Sequence, residues 1–258
     1  MSRPPAALAS DAREYGGAGL FGLLTPQGNP TAEPEMRILL PPRCSVLCAR
    51  LTSAGDDLRR RLEDYFERLE SFVDQFDGIG LDALGFACTA SSYALAPAEE
   101  RARLGRIEDS KGYPLLTAAG AVEQALRSLA IGAVALVSPY PPWLTETCRR
   151  HWIGRGLRVT ATLQLPPASP ARPIYGLDTR MLLARADGFD ARGADAVLLT
   201  GTGMPSLRAI QPLETALEVP VLSSNLCLAW ALAKLTGAAH AGPESRLYAG
   251  WSGRLSAS

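Results

Sequence analysis

The segment Asp82-Ala-Leu-Gly-Phe-Ala-Cys-Thr-Ala, residues 82–90, is similar to Asp195-Ala-Val-Leu-Leu-Thr-Gly-Thr-Gly, residues 195–203. The two segments lie 113 residues apart, and the same offset relates Leu24-Thr-Pro to Val137-Ser-Pro. A third pair, Tyr113-Pro-Leu-Leu-Thr-Ala and Val219-Pro-Val-Leu-Ser-Ser, follows at an offset of 106. Parallel strands resemble one another in general, but three matches in the same order predict that the chain contains two homologous halves.

Short apolar runs alternate with amphipathic segments along the chain, which predicts parallel sheets covered by helices on both faces. The expected strands are 21–25, 45–51, 83–89, 113–118, 133–139, 158–165, 196–202 and 219–224. The expected helices are 56–76, 118–130, 142–154, 179–192 and 226–235.

The expected fold class is therefore α/β, with two similar Rossmann-like, parallel-sheet halves related by pseudo-two-fold symmetry. Residues 17–117 and 225–258 form the first half in this prediction, so the end of the chain returns to it. Residues 118–224 form the second half, and the active site lies between the two. The proline-rich run 166–173 is expected to be a loop of the second half.

Composition excludes several classes of partner. Lys plus Arg and Asp plus Glu both number 26 among 258 residues, and no dense basic stretch marks a nucleic-acid binder. No apolar run approaches the length of a membrane span. The N-terminal segment lacks a long apolar core and is interpreted as a flexible lead-in instead of a signal peptide. Five cysteines without paired spacing indicate no disulfide framework, so a cytoplasmic location is expected.

Small polar residues follow equivalent strands in the two halves, and ligands of α/β sheets bind beyond the carboxyl ends of strands. If the halves face one another, these residues converge on one cleft. The residues are Thr25-Pro26, Cys88-Thr89, Ser138-Pro139 and Gly201-Thr202.

Cys88 is the candidate reactive thiol. It stands where its strand should end and precedes a helix start or turn, whose N–H groups would lower the pKa of the thiol. The alternative is a buried apolar cysteine, the commonest state of a free cysteine. The other four cysteines are interpreted as structural. His151, in Cys-Arg-Arg-His-Trp, is expected on a solvated helix face, and neither it nor His240 supports a metal site or a catalytic triad.

Four further polar residues are candidates for the cleft, each with a simpler alternative. Asn29 lies in a turn, which asparagine favours on its own account. Tyr140 occupies the matching loop of the second half, where it could be a half-buried aromatic residue. Thr89 and Thr202 end equivalent strands, in which threonine is common.

These motifs resemble the aspartate/glutamate racemase superfamily, and within it the branch of maleate cis–trans isomerase and arylmalonate decarboxylase. The resemblance spans about Gly19 to Gly237 and rests on residues 23–36, 87–92, 138–140, 198–203 and 219–225. It implies cofactor-free chemistry on a small carboxylate or dicarboxylate, with no metal. It also implies Cys88 as the catalytic residue. The substrate-binding residues that it implies are Asn29, Thr89, Ala90, Tyr140, Gly201, Thr202 and Gly203.

One position departs from the family pattern. The resemblance implies that isomerases and racemases of the family carry a second cysteine at the position that Gly201 occupies in this chain. Two-base amino-acid racemisation is therefore not expected. Isomerisation of a cis-enedioate by Cys88 thiolate is the favoured function. Decarboxylation of a 2-substituted malonate, with Cys88 as the proton donor, is the alternative. A non-catalytic carboxylate-binding protein is the third. Neither nucleic acid nor membrane is an expected partner, and homo-oligomerisation is left open.

Overall fold

The computed structural model describes residues 13–239, 241–242, 245 and 247–256. The start of the N-terminal lead-in, residues 1–12, and His240 lie outside the described residues. The first sheet is parallel, with strand order β2-β1-β3-β4. Its strands are β1 (Gly19–Pro26), β2 (Cys44–Leu51), β3 (Ala83–Phe86) and β4 (Leu115–Thr117).

The second sheet repeats this order as β6-β5-β7-β8 and is also parallel. Its strands are β5 (Ala133–Ser138), β6 (Arg158–Gln164), β7 (Ala196–Leu199) and β8 (Val221–Ser223). Each of the eight runs expected from sequence therefore overlaps a strand. The prediction of an α/β fold with two similar parallel-sheet halves is confirmed.

Equivalent hydrogen bonds in the two halves explain why the aspartates of the repeat occur at an offset of 113. Asp82 Oδ2 accepts from the N–H of Leu20, at 2.8 Å, and joins the segment before β3 to the start of β1. Asp195 Oδ2 accepts from the N–H of Ala133, also at 2.8 Å, and joins the segment before β7 to the start of β5. The repeated aspartate in the sequence thus makes the same hydrogen bond in each half.

Eleven α-helices flank the sheets within the described residues. The five predicted segments overlap α2 (Leu58–Glu67), α3 (Leu69–Val73), α6 (Ala118–Ser128), α7 (Pro142–Gly154), α8 (Thr179–Ala186) and α10 (Ser224–Leu235). Helix α4 (Thr89–Ser92) follows Cys88, where a helix start or turn was expected. The helices absent from the prediction are α1 (Ala32–Leu39), α5 (Pro97–Lys111), α9 (Leu207–Leu217) and α11 (Ser252–Ser256).

Two predicted helices have the wrong extent. The expected single helix 56–76 is interrupted at Arg68, whose ψ of 17° departs from helical geometry, and ends in a 3₁₀ turn. The expected helix 179–192 ends at Ala186 because Asp187 is extended, with ψ of 124°. Apolar spacing shows which residues face the core, but it does not reveal these changes in the backbone.

The helices α6 and α10 are equivalent and pack against each other. Each follows the last strand of its sheet and begins with a side-chain cap. Thr117 Oγ1 accepts from Gly120 N at 3.0 Å, and Ser223 Oγ accepts from Leu226 N at 3.2 Å. Besides α6, α10 contacts α1, β3 and β4 of the first sheet. The division of the chain at 117/118 and 224/225 stays a prediction.

A buried carboxylate joins the two halves. Glu35, on α1, accepts hydrogen bonds from the N–H of Ser206 at 2.6 Å and of Leu207 at 3.2 Å, at the start of α9. The amide of Asn225 donates to the same carboxylate at 2.7 Å and to the carbonyl of Thr202 at 3.1 Å. Burial raises the pKa of Glu35, and the surrounding donors oppose that shift. This cluster fixes the loop after β7 against the first half.

His151 does not lie on a solvated helix face, so that expectation is wrong. The residue is buried in an aromatic cluster, with ring centroids 5.0 Å from Tyr93 and 4.9 Å from Trp152. Burial disfavours the charged imidazolium and lowers the pKa of His151 to about 4. The flanking arginines suggested exposure, but α7 turns His151 towards the interior.

No helix in the described part of the chain is long and apolar enough to cross a bilayer. One hydrophobic core includes residues from both sheets together with α6 and α10. The halves therefore share apolar packing as well as the Glu35 cluster.

Candidate active site

A pocket of about 480 Å³ lies where the carboxyl ends of the two sheets meet. This volume is suitable for a small organic ligand. All eight site residues expected from sequence line it: Asn29, Cys88, Thr89, Ala90, Tyr140, Gly201, Thr202 and Gly203. The structure thus brings together segments that are far apart in the chain. The roles of the eight residues stay predictions.

Cys88 immediately precedes α4, and its sulfur is held by the first turn of that helix. Its Sγ lies 3.2 Å from Ser91 Oγ. Burial raises the pKa of the Cys88 thiol, whereas the Ser91 hydroxyl and the N–H groups of Ser91 and Ala90 lower it by a smaller amount. The expectation of a lowered pKa is therefore wrong, because loss of solvent outweighs the helix start. The resting thiol is protonated.

The other cysteines differ from Cys88 in their position. Cys44 and Cys48 are half-buried, and their surroundings raise both pKa values to about 11, mainly through burial. Cys148 and Cys227 are buried. None of these four lines the pocket, and Cys88 does. Its place in the pocket, and not a lower pKa, distinguishes the candidate thiol.

Asn29 and Thr202 bridge the two halves at the base of the pocket. Asn29 Oδ1 accepts from the N–H groups of Thr31 and Ala32 at 2.9 and 3.1 Å and supports the start of α1. Its Nδ2 donates to Thr202 Oγ1 at 3.1 Å, and that hydroxyl donates to the carbonyl of Ala87 at 2.7 Å. The hydroxyl proton of Thr202 is thus used in a hydrogen bond to Ala87, the residue that precedes Cys88.

The Thr89 hydroxyl differs from that of Thr202 in its hydrogen bonding. Its Oγ1 is buried and has no hydrogen-bond partner among the described residues. A buried hydroxyl without a partner costs free energy, and a ligand oxygen in the pocket could satisfy it. Thr89 is therefore better suited than Thr202 to bind a carboxylate through its side chain.

Glycine is required at two positions of the second half. Gly201 has φ of +86°, a left-handed conformation, and its N–H donates to Ser224 Oγ at 3.1 Å. At Gly203 the obstacle is space, because a Cβ would lie 2.5 Å from the Tyr175 ring. A Cβ at Gly28 would lie 3.1 Å from the same Tyr175 ring, so this ring packs against glycines of both halves.

Several lining residues were missed at the sequence level because they do not follow a strand. Helix α2 contributes Arg61 and Tyr65, and the proline-rich loop region contributes Arg172 and Tyr175. The run of prolines correctly indicated a loop but carried no signal that the loop reaches the pocket.

The pocket is positively charged. The lining includes two arginines and no Asp, Glu or Lys. Among the described residues, neither Arg61 nor Arg172 has a carboxylate within ion-pair distance, and Arg61 Nε donates to the carbonyl of Gly55 at 2.7 Å. Within the same part of the chain, no three His, Cys, Asp or Glu side chains are grouped as metal ligands. The arrangement suits an anion beside a thiol.

A sequence model described as arylmalonate decarboxylase matches residues 41–248. The chain therefore belongs to the arylmalonate decarboxylase family. Maleate isomerase from Geobacillus stearothermophilus is 26% identical to it over 79% of this chain and 86% of that protein. The predicted branch of the aspartate/glutamate racemase superfamily is confirmed, as is an enzyme of the isomerase or decarboxylase kind.

Solved structures show the same fold. A cysteine-to-serine mutant of Nocardia farcinica maleate cis–trans isomerase, with a covalently bound succinylcysteine intermediate, has a TM-score of 0.78 and 22% identity. The match covers 88% of this chain and 96% of that one. Arylmalonate decarboxylase has a TM-score of 0.75 and 23% identity, covering 89% of this chain and 98% of that one.

Proposed function

We propose that the protein is a cofactor-independent cis–trans isomerase of a small cis-enedioate such as maleate, with Cys88 as the nucleophile. The observation that carries the proposal is the composition of the pocket, whose lining includes one thiol and two arginines but no acidic side chain. A four-carbon dianion matches that charge and the volume of about 480 Å³. The free cysteines suit a reducing compartment, and we place the enzyme in the cytoplasm.

The reaction begins when the Cys88 thiol loses its proton to solvent. The thiolate adds to C2 of the enedioate, the electron pair of the double bond moves to C3, and the C2–C3 bond becomes single. After rotation about that bond, the double bond reforms in the trans geometry and the thiolate leaves. The succinylcysteine in the Nocardia farcinica relative is an adduct of this type.

Five of the predicted binding residues have an assigned role in this proposal. The Thr89 hydroxyl and the N–H groups after β7, at Thr202 and Gly203, bind one carboxylate. Arg61 and Arg172, the exposed arginines of the lining, attract the other. Asn29 and Thr202 act mainly through their side-chain bridge, which holds the Cys88 strand end in position. Ala90 contributes an N–H group near the sulfur.

Decarboxylation of a 2-substituted malonate is the second candidate, and the protonated resting state of Cys88 favours it. In that reaction CO₂ leaves, the electron pair remains on the α-carbon as an enediolate, and the thiol donates its proton there. Isomerisation uses the thiolate and decarboxylation the thiol, so below the raised pKa of Cys88 isomerisation accelerates with pH whereas decarboxylation does not.

The test is proton NMR of the purified protein with maleate and, separately, phenylmalonate between pH 6 and 9. For isomerisation, kcat/KM should increase about tenfold per pH unit, because the thiolate fraction grows in this way below a raised pKa. Cys88→Ser should be inactive. Conversion of phenylmalonate at a rate that does not rise with pH would assign the decarboxylase function instead, and no turnover of either compound would reject both.

A charge substitution tests the role of the pocket arginines. Arg61→Gln should raise KM for maleate about tenfold while changing kcat less, because the charge acts on substrate capture. Arg106→Gln on the exposed face of α5 removes the same charge outside the pocket and is the matched control. Equal effects of the two substitutions would remove the electrostatic argument for a dianionic substrate.

A further inference from the structure

Position 201 is the counterpart of Cys88 in the second half, at the offset of 113 that also relates Asp82 to Asp195. A side chain there would enter space that is already occupied. The Cβ of any residue at Gly201 would lie 2.8 Å from Tyr140 Oη and 3.2 Å from Tyr140 Cζ. The Tyr140 hydroxyl therefore stands where a functional group equivalent to the Cys88 thiol would begin.

Tyr140 is firmly positioned there. It lies in the loop after β5, and its N–H donates to Ser138 Oγ at 3.3 Å. Its carbonyl accepts from Thr145 Oγ1 at 3.1 Å. Its ring contacts Tyr93 edge to face, with centroids 6.1 Å apart. Tyr140 is buried and also lines the pocket, so the loop and the Tyr93 ring hold the phenol beside the space for a ligand.

The proposed isomerisation needs a proton donor on the side of the substrate away from the sulfur. Addition of the Cys88 thiolate to C2 leaves an electron pair on C3, next to a carboxylate, and this carbanion is strongly basic. Cys88 belongs to the first half, whereas Tyr140 and Gly201 belong to the second, so the thiol and the phenol line the pocket from different halves. Burial raises the pKa of Tyr140 well above its ordinary value, which keeps the hydroxyl protonated and able to donate.

We propose that Tyr140 is the acid and base at C3, on the face of the substrate opposite Cys88. This inference rests on the proposed isomerase function. The phenol gives its proton to C3 as the C2–S bond forms, which leaves a phenolate and a neutral carbon. After rotation, the phenolate removes a proton from C3, the double bond reforms, and the C2–S bond breaks. Both the phenol and the thiolate are then restored, so protons and electrons balance.

This geometry has a stereochemical consequence. Sulfur and the new proton add to opposite faces, and removal of that same proton from the opposite face can only regenerate the cis compound. Formation of the trans compound requires rotation that brings the original C3 hydrogen to face Tyr140. The phenolate then removes the original hydrogen, and the proton from the enzyme stays in the product. In D₂O, the trans product should therefore carry one deuterium per molecule.

The experiment is proton NMR and mass spectrometry of the fumarate formed from maleate in D₂O. Wild-type protein should give singly deuterated fumarate. Tyr140→Phe should lower kcat by about a hundred- to ten-thousand-fold, the range for loss of a general acid, and its residual product should be undeuterated. Tyr65→Phe and Tyr175→Phe remove the other two phenols of the pocket and should retain the single deuterium. Thermal unfolding of each variant verifies that it is folded.

The outcomes separate this inference from the proposed function. Absence of fumarate with the wild type rejects the isomerase function. Fumarate without deuterium from the wild type, or unchanged kcat and labelling in Tyr140→Phe, leaves the isomerase intact and overturns the role of Tyr140. Loss of label in Tyr65→Phe or Tyr175→Phe assigns the proton transfer to that tyrosine instead. If Tyr140→Phe does not fold, the labelling of the wild type and the two control variants still decides.

Discussion

Replacing Gly201 by cysteine should destabilise the protein and should not create a working second thiol. The φ of +86° costs a residue with a Cβ about 1–2 kcal/mol. The new Cβ would also lie 2.8 Å from Tyr140 Oη and 3.4 Å from Pro139 Cγ, and overpacking of this kind costs about 1–3 kcal/mol. The free energy of unfolding should therefore fall by about 2–5 kcal/mol.

Two further variants separate these contributions in urea or thermal unfolding. Gly112 has a similar φ of +77°, with no atom within 4 Å of the added Cβ, so Gly112→Cys measures the backbone cost alone. Combining Gly201→Cys with Tyr140→Phe removes the nearest contact and should recover part of the loss. If Gly201→Cys unfolds at the wild-type midpoint, or if the Tyr140 change recovers nothing, the reasoning about this contact is refuted. No racemase activity towards aspartate is expected from Gly201→Cys.

Three other substitutions test separate parts of the structure. Glu218 has φ of +56°, where the equivalent position of the first half is Gly112, so Glu218→Gly should raise the free energy of unfolding by about 0.5–1 kcal/mol in urea melts. Ser91→Ala removes a hydrogen bond that lowers the pKa of the reactive thiol and should slow its alkylation by iodoacetamide about fivefold at pH 8. Ser92→Ala, which deletes a buried hydroxyl without a partner in the described chain, is its control, and equal rates in both variants would contradict the assignment. Glu35→Ala removes the acceptor of four buried donors and should cost about 3–5 kcal/mol, whereas a loss below 1 kcal/mol would show that the halves do not depend on this cluster.

The strands were predictable because a parallel strand covered on both faces is a short apolar run that turn residues interrupt. The missed helices lack the corresponding pattern. Helix α5 is mostly exposed and polar, although Pro97 at its first turn and Gly112 after its end are typical boundary residues. Helix α9 contains Pro212, which argues against a helix when the sequence is considered alone.

The location of the site was predictable for the same reason, since four strand ends in two similar halves must meet near the symmetry axis. The pKa of the thiol and the charge of the pocket were not predictable from the sequence. Burial determines the raised pKa of Cys88, and burial depends on the closure of the pocket by α2 and by the loop that carries Tyr175. Neither segment follows a strand. The charge contributed by Arg61 was hidden for the same reason.

The two halves have diverged at the point where their strands open into the pocket. After β3, a helix begins at once, and its first N–H groups face the sulfur of Cys88. After β7, the turn at Gly201 admits the Tyr140 hydroxyl, and the next helix begins only at Leu207. The N–H groups at that helix start bind Glu35, a carboxylate of the first half. Equivalent elements therefore hold the thiol in one half and secure the contact between the halves in the other. A duplicated fold can diverge in this way because the aspartate contacts of the two halves lie at the amino ends of β1 and β5, away from the strand ends that open into the pocket.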